Sequence, residues 1–123
     1  MKESLVANGC YIGEGAVIEN SIIGLRTVVG PNVTIKNSII MGSDFYDDEG
    51  VRKEATREIG AGTVIDGAIV DKNVCVGKNV KVINSSNREQ TDLENKTCVI
   101  RDGIPIIVKN AILPDGWALE NEI

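Results

Sequence analysis

The sequence predicts an all-β solenoid, wound as a prism with three short flat faces per turn. Three observations predict it. Branched apolar residues recur every five or six positions, which is neither the period of about 3.6 of a helix nor the period of about 2 of a half-buried strand. Glycine is frequent at 13 residues and aromatics are rare at 3%, which suits many tight corners around a core of Ile, Val, Leu and Ala. The spacing also keeps its phase across a long polar interruption, and self-similarity at a fixed period marks a repeat architecture.

Val6 is the first inward anchor. Ile12, Ile18, Ile23, Val29, Ile35 and Ile40 follow at steps of 6, 6, 5, 6, 6 and 5, so that one turn takes 17 residues. Ile59 comes 19 residues after Ile40, which is 13 more than the expected 6. From Ile59 the anchors Ile65, Val70, Val76 and Val82 resume at steps of 6, 5, 6 and 6. Placing the insertion after the first anchor of the third turn aligns four turns: 6/12/18, 23/29/35, 40/59/65 and 70/76/82. Gly13, Gly24, Gly30, Gly60 and Gly77 each follow an anchor, where a missing Cβ relieves crowding at a corner. Parallel pairing would stack the turns about 4.8 Å apart, giving a prism about 15–20 Å tall. The edges at both ends of so short a prism invite pairing, so a packed second subunit or domain is expected.

Two segments interrupt the repeat. The insertion, about residues 43–58 and containing "GSDFYDDEGVRKEATRE", is polar and reads as a solvated loop in which "VRKEATRE" has room for a helical turn or two. Its acidic run, Asp44, Asp47, Asp48 and Glu49, is the alternative, a cation site. Phe45 and Tyr46 beside it are expected to pin the loop to the prism or to a partner. A second loop, about residues 84–97, has no periodicity. The chain then returns through "CVIRDGIPIIVKNAILPDGWAL", where Ile104, Ile106 and Val108 alternate as in a strand. Pro105 and Pro114 favour an edge position for that strand. The segment is expected to form a last, irregular turn over the open end, with Trp117 as a capping side chain. The whole chain, 1–123, reads as one domain.

The formal net charge is −5, from 13 basic and 18 acidic residues, which argues against a nucleic acid partner. No apolar run approaches the length of a membrane span. Three widely spaced cysteines, Cys10, Cys75 and Cys98, with no histidine anywhere, offer no metal-ligand pattern and suit free thiols in a reducing cytosol. Without histidine the ordinary general base near neutral pH is missing. No GxxxxGK[ST] or GxSxG motif occurs, and Thr27, Thr34 and Thr63 form no column on one face. The chain alone is therefore expected not to catalyse. A stand-alone hexapeptide-repeat transferase and a purely structural scaffold are the alternatives.

The hexapeptide spacing resembles the left-handed parallel β-helix family, and the left hand is what that resemblance implies. Three longer stretches, "SIIGLRTVVGPNVTIKNSIIMGSDFY", "IVDKNVCVGKNVKVIN" and "IRDGIPIIVKNAILPDG", in that order, resemble the C-terminal domain of ADP-glucose pyrophosphorylase (glucose-1-phosphate adenylyltransferase), cyanobacterial and plant forms above all. The resemblance runs from about Ser4 to Leu119. It implies a parent enzyme that makes ADP-glucose and pyrophosphate from ATP and glucose 1-phosphate for glycogen or starch synthesis, using Mg2+. It places catalysis in an N-terminal nucleotidyltransferase domain that is absent from this sequence, which reads as a fragment or a separately encoded module. It also implies a cytoplasmic protein, or a plastid one from a plant source.

For this domain the resemblance implies packing on the missing catalytic domain and homo- or hetero-oligomers of the same family. It further implies part of a site for phosphate or a sugar-phosphate effector. The family's two lysines at that site match Lys72 of the "DKN" motif and Lys109 before "NAILPDG". Arg26 in "GLRT" and Arg101 in "IRDG" are the further candidates. Val28 stands where the family motif often has a second arginine, so a different anion affinity or effector choice is expected.

Overall fold

In a computed structural model of the chain, described for residues 3–43, 58–87, 89–92 and 97–122, the anchors point into one continuous core. The first coil carries β1 (Leu5–Val6), β2 (Tyr11–Ile12) and β3 (Val17–Glu19). The second carries β4 (Ile22–Ile23), β5 (Val28–Val29) and β6 (Thr34–Lys36). The third carries β7 (Ile39–Ile40), β8 (Glu58–Ile59) and β9 (Val64–Asp66), and the fourth β10 (Ile69–Val70), β11 (Cys75–Val76) and β12 (Lys81–Ile83). Corresponding strands pair in parallel, coil on coil, and the register sets Val6, Ile23, Ile40 and Val70 above one another. The insertion leaves the prism between β7 and β8, where the interrupted spacing put it. Its acidic run and Phe45 and Tyr46 lie outside the described residues.

Ten of the twelve anchors are buried, while Val6 and Ile12 are half-buried. Both belong to the first coil, which has a neighbour on one side only. Two residues before an anchor a smaller side chain often turns inward too, filling the corner: Thr27, Val33, Ser38, Thr63 and Ala68 are all buried. The serines in this position replace backbone partners that the corner geometry removes. Ser21 Oγ accepts the Ser38 N–H at 3.1 Å, and Ser38 Oγ accepts the Ala68 N–H at 3.1 Å. Buried N–H groups are thereby satisfied without a ladder bond.

The corner glycines are explained by close approach between coils. A Cβ on Gly60 would lie 2.4 Å from the Gly77 carbonyl oxygen, and one on Gly13 would lie 2.6 Å from the Gly30 carbonyl carbon. Left-handed backbone sits at other corner positions and is filled largely by asparagine: Asn20, Asn32, Asn37, Asn73, Asn79 and Asn110 all have φ between 49° and 64°. Asparagine tolerates this region better than most side chains.

The C-terminal segment is more regular than the sequence suggests. After β12 the chain forms β13 (Gln90–Asp92), β14 (Cys98–Arg101), β15 (Ile104–Ile107) and β16 (Ile112–Leu113). β15 and β16 pair in parallel with β10 and β11, and Ala118 bridges Lys81 on the third face. This is a fifth coil, with Ile107, Leu113 and Leu119 as its buried anchors. The last turn expected over the open end is thus present as a coil in register with the four before it. The spacing of six survives here too, but an aperiodic stretch before it hides the phase.

The second loop, about 84–97, contains a strand, since β13 pairs antiparallel with β14 and β14 with β15. β15 is therefore not an edge strand. Pro105 lies one residue before the parallel register with β10 begins at Ile106, so its missing N–H breaks no bond to that coil. Ile104 and Ile106 mark the outer side and Pro105 and Ile107 the buried one, while Val108 is half-buried against the core. Trp117 is buried as the inward corner residue of this coil, and a 3-10 helix at Leu119–Asn121 closes the floor beside it.

Candidate functional site

The three corners of the prism differ in chemistry. The corner after β1, β4, β7, β10 and β15 carries Asn8–Gly9, Leu25–Arg26, Gly42–Ser43, Lys72–Asn73 and Lys109–Asn110 in successive coils. Arg26, Lys72 and Lys109 thus share one corner although 83 residues separate the first from the last. The Asn110 N–H donates to the Lys72 carbonyl at 3.0 Å, so the two lysine turns are stacked directly. One coil step is about 4.8 Å, which puts Lys72 and Lys109 on adjacent rungs and Arg26 about two rungs from Lys72.

The third coil fills the intervening rung and ties the row together. Arg26 Nε donates to the Ser43 carbonyl at 3.1 Å, which turns the guanidinium toward the fourth coil. The Ser43 N–H donates back to the Leu25 carbonyl at 2.8 Å. Ser43 Oγ donates to Asn73 Oδ1 at 3.4 Å, and the Asn73 N–H donates to the Gly42 carbonyl at 3.1 Å. Ser43 and Asn73 are both buried, at 6% and 5% exposure. Asp71 turns its carboxylate back on the corner, where Oδ1 accepts the Lys72 N–H at 2.7 Å. A small, partly open pocket of about 20 Å³ is bordered by Thr27, Ser43, Asp71 and Val74.

Arg101 is not part of this row. It ends β14 opposite Ile104, at the start of β15, whereas Lys109 follows the end of β15. Its Nη1 donates to the Ile100 carbonyl at 2.8 Å, and the side chain is exposed.

The corner between the third face and the next coil has the opposite character. Asn20 Nδ2 donates to Asn37 Oδ1 at 2.9 Å, and Asn37 Nδ2 to Asp66 Oδ1 at 3.3 Å. A groove of about 380 Å³ opens beside it, lined by Glu3, Asn20 and Asn37 on one side and Leu5, Ile22 and Ile39 on the other. No Lys or Arg is among the residues lining this groove, so it offers an anion no counter-charge. The basic row stands on a convex corner, where coils, not walls, bring the charges together. On the adjoining face, Leu5, Ile22, Ile39, Ile69 and Ile106 form an outward column in strict register. Leu5 is 70% exposed, and Leu25 and Met41 extend the apolar surface around the corner.

The chain matches, over residues 1–118, the family described as the GLGC left-handed parallel beta-helix domain. The chain belongs to that family. The hand of the GLGC domain is therefore the left hand that the hexapeptide resemblance implied. Among similar proteins is the inactive glucose-1-phosphate adenylyltransferase small subunit 2, chloroplastic, of Arabidopsis thaliana, 40% identical over 124 residues. The match covers 94% of this chain and 26% of that relative, so this GLGC domain spans about a quarter of the relative's length. Among the described residues no helix is long and apolar enough to cross a membrane, and no three metal-ligating side chains cluster.

Sequence reasoning named the three cations of the row but missed Ser43 and Asn73, the residues between them. A signal was present. Lys-Asn pairs occur at 36–37, 72–73, 78–79 and 109–110, each at a corner whose asparagine has positive φ. The pairs at 72 and 109 follow strands of the same face, which identifies the shared corner.

Proposed function

We propose that this domain is the non-catalytic, C-terminal regulatory and assembly module of a glucose-1-phosphate adenylyltransferase. The whole enzyme would join ATP and glucose 1-phosphate to give ADP-glucose and pyrophosphate. Its ATP and Mg2+ belong to a separate nucleotidyltransferase domain, and no chemical step is assigned to the residues of this one. The observation that carries the reading is the row of Arg26, Lys72 and Lys109 on one corner. Ammonium and guanidinium groups on neighbouring rungs repel one another, and a phosphate or sugar-phosphate spanning them relieves that repulsion while accepting charge-assisted hydrogen bonds. Anion binding at a corner shared by coils two to five favours one packing of those coils, which is how occupancy there would reach a neighbouring domain.

The assembly half of the reading is supported by the outward column of Leu5, Ile22, Ile39, Ile69 and Ile106. A contiguous exposed apolar strip is uncommon on a monomer and marks an interaction surface. The partner is a related subunit or the catalytic domain of the same enzyme.

Titration of the chain with inorganic phosphate tests the anion site. The expected result is millimolar-range binding that falls at least tenfold in Lys72→Ala/Lys109→Ala, with affinity on the order of −4 kcal/mol. Unchanged affinity in the double variant contradicts it. Sedimentation velocity tests assembly: self-association weakened by Ile22→Ser/Ile39→Ser is expected, and a monomer at all concentrations contradicts association with its own kind. Saturable micromolar binding of acetyl-CoA would instead favour a stand-alone transferase.

A further inference from the structure

The basic row has an internal brace. Arg26 and Lys72 lie two rungs apart, and the rung between them is where the chain departs into the 44–57 segment. Four hydrogen bonds cross that rung: Arg26 Nε to the Ser43 carbonyl (3.1 Å), Ser43 N–H to the Leu25 carbonyl (2.8 Å), Ser43 Oγ to Asn73 Oδ1 (3.4 Å), and Asn73 N–H to the Gly42 carbonyl (3.1 Å). Two of the participants, Ser43 and Asn73, are buried polar side chains that bond each other across adjacent coils. Burying such groups is unfavourable unless they are paired, so their pairing with each other fixes both turns. Asn73 also holds its backbone at φ 60°, the conformation that presents Lys72 at the corner.

Building on the proposed anion site, we infer that Ser43 and Asn73 are positioning residues. They set the spacing between the Arg26 turn and the Lys72 turn, and phosphate affinity depends on them although neither reaches the anion. The effect has a direction. Losing the Ser43 hydroxyl frees the rung at the root of the 44–57 segment, so the guanidinium and the ammonium no longer hold one separation, and an anion must order them on binding. A ligand that orders what it binds loses affinity by that ordering.

The test uses phosphate titration of the 123-residue chain, with Ser43→Ala, Asn73→Gly and Ser43→Thr beside the wild type. Asn73→Gly keeps a residue that accepts positive φ, and Asn37→Gly makes the same change at the amide corner as a control. Phosphate affinity should fall about two- to tenfold in Ser43→Ala and Asn73→Gly, the range of one lost hydrogen bond. Ser43→Thr should restore it, and Asn37→Gly should leave it unchanged. A merely structural role would lower the unfolding midpoint of all the loss variants and leave phosphate affinity alone; that outcome overturns the inference. Wild-type affinity in Ser43→Ala overturns it as well. Absence of phosphate binding by the wild type would instead remove the site itself and with it the inference.

Discussion

Two corners of the same prism are built on one backbone plan and end in opposite chemistry. At the corner between the third face and the next coil, Asn20, Asn37 and Asp66 bond one another in a chain from coil to coil. Each side chain there completes the fold. At the corner between the first and second faces, the side chains that complete the fold are Ser43 and Asn73, which lie inside, and Arg26, Lys72 and Lys109 are carried on the rungs around them. A ladder that satisfies itself offers nothing to a ligand. A ladder whose satisfied part is buried can display like charges at fixed intervals. The difference arises from which residue of each corner turns inward, not from the fold.

The sharpest way to break the comparison is through glycines. A Cβ on Gly24 at the basic corner would lie 2.4 Å from the Met41 carbonyl oxygen, so Gly24→Ala must push coils two and three apart. A loss of about 3 kcal/mol is expected in urea unfolding. Gly67 at the amide corner has nothing within 4 Å of its built Cβ and only its φ of 70° to defend, so Gly67→Ala should lose about 1–2 kcal/mol. Equal losses would mean that coil spacing at the two corners is equally soft.

Asn37 comes next. Asn37→Ala removes two side-chain hydrogen bonds and places a Cβ-bearing residue without a local partner at φ 52°, and about 2 kcal/mol should be lost. Asn37→Gly should recover roughly half of that, because glycine accepts the backbone angle. By contrast, Lys72→Ala and Lys109→Ala should each change stability by less than about 0.5 kcal/mol, while removing the rise in unfolding midpoint that phosphate gives the wild type. A stability loss as large as that of Asn37→Ala would make the lysines part of the fold.

The last effect appears only at alkaline pH and belongs to Cys98, which lies on neither corner. Burial pushes its thiol up from 9.0 to about 11, against a smaller opposing contribution from the Ile106 backbone. The unfolded chain therefore releases this proton first as pH rises. Stability from this group is intact below about pH 9 and declines toward pH 11. Denaturant midpoints of the wild type should fall more steeply over that window than those of Cys98→Ala; parallel slopes would count against it.

Much of this architecture was legible before any coordinates. The 17-residue turn, its inward anchors and the exit point of the insertion follow from branched side chains at fixed intervals, because only such side chains fill a core this narrow. The fifth coil was legible as a last turn but not in its register, because the β13–β14 hairpin separates Val82 from Ile107 and hides the period. The crowding that calls for glycine was legible after each anchor, whereas the left-handed backbone carried by asparagines such as Asn20, Asn37 and Asn73 was not. Of the site, the family resemblance gave Lys72 and Lys109 at one anion site, with Arg26 and Arg101 as further candidates, but not the corner they would share. Stacking of coils groups the first three. Arg101, in a hairpin added after the fourth coil, ends up at the far end of a strand. Ser43 and Asn73 escaped notice because a buried polar residue in a repeat looks like an ordinary corner residue until its partner one coil away is known.

Amide chemical-shift mapping of the chain during phosphate titration tests the shared basic corner most directly. The expected result is saturable shifts at Arg26, Ser43, Lys72, Asn73, Lys109 and Asn110, with Asn20, Asn37 and Gly67 unmoved. Shifts centred on Arg101 or on the amide corner, or none at any phosphate concentration, would contradict it.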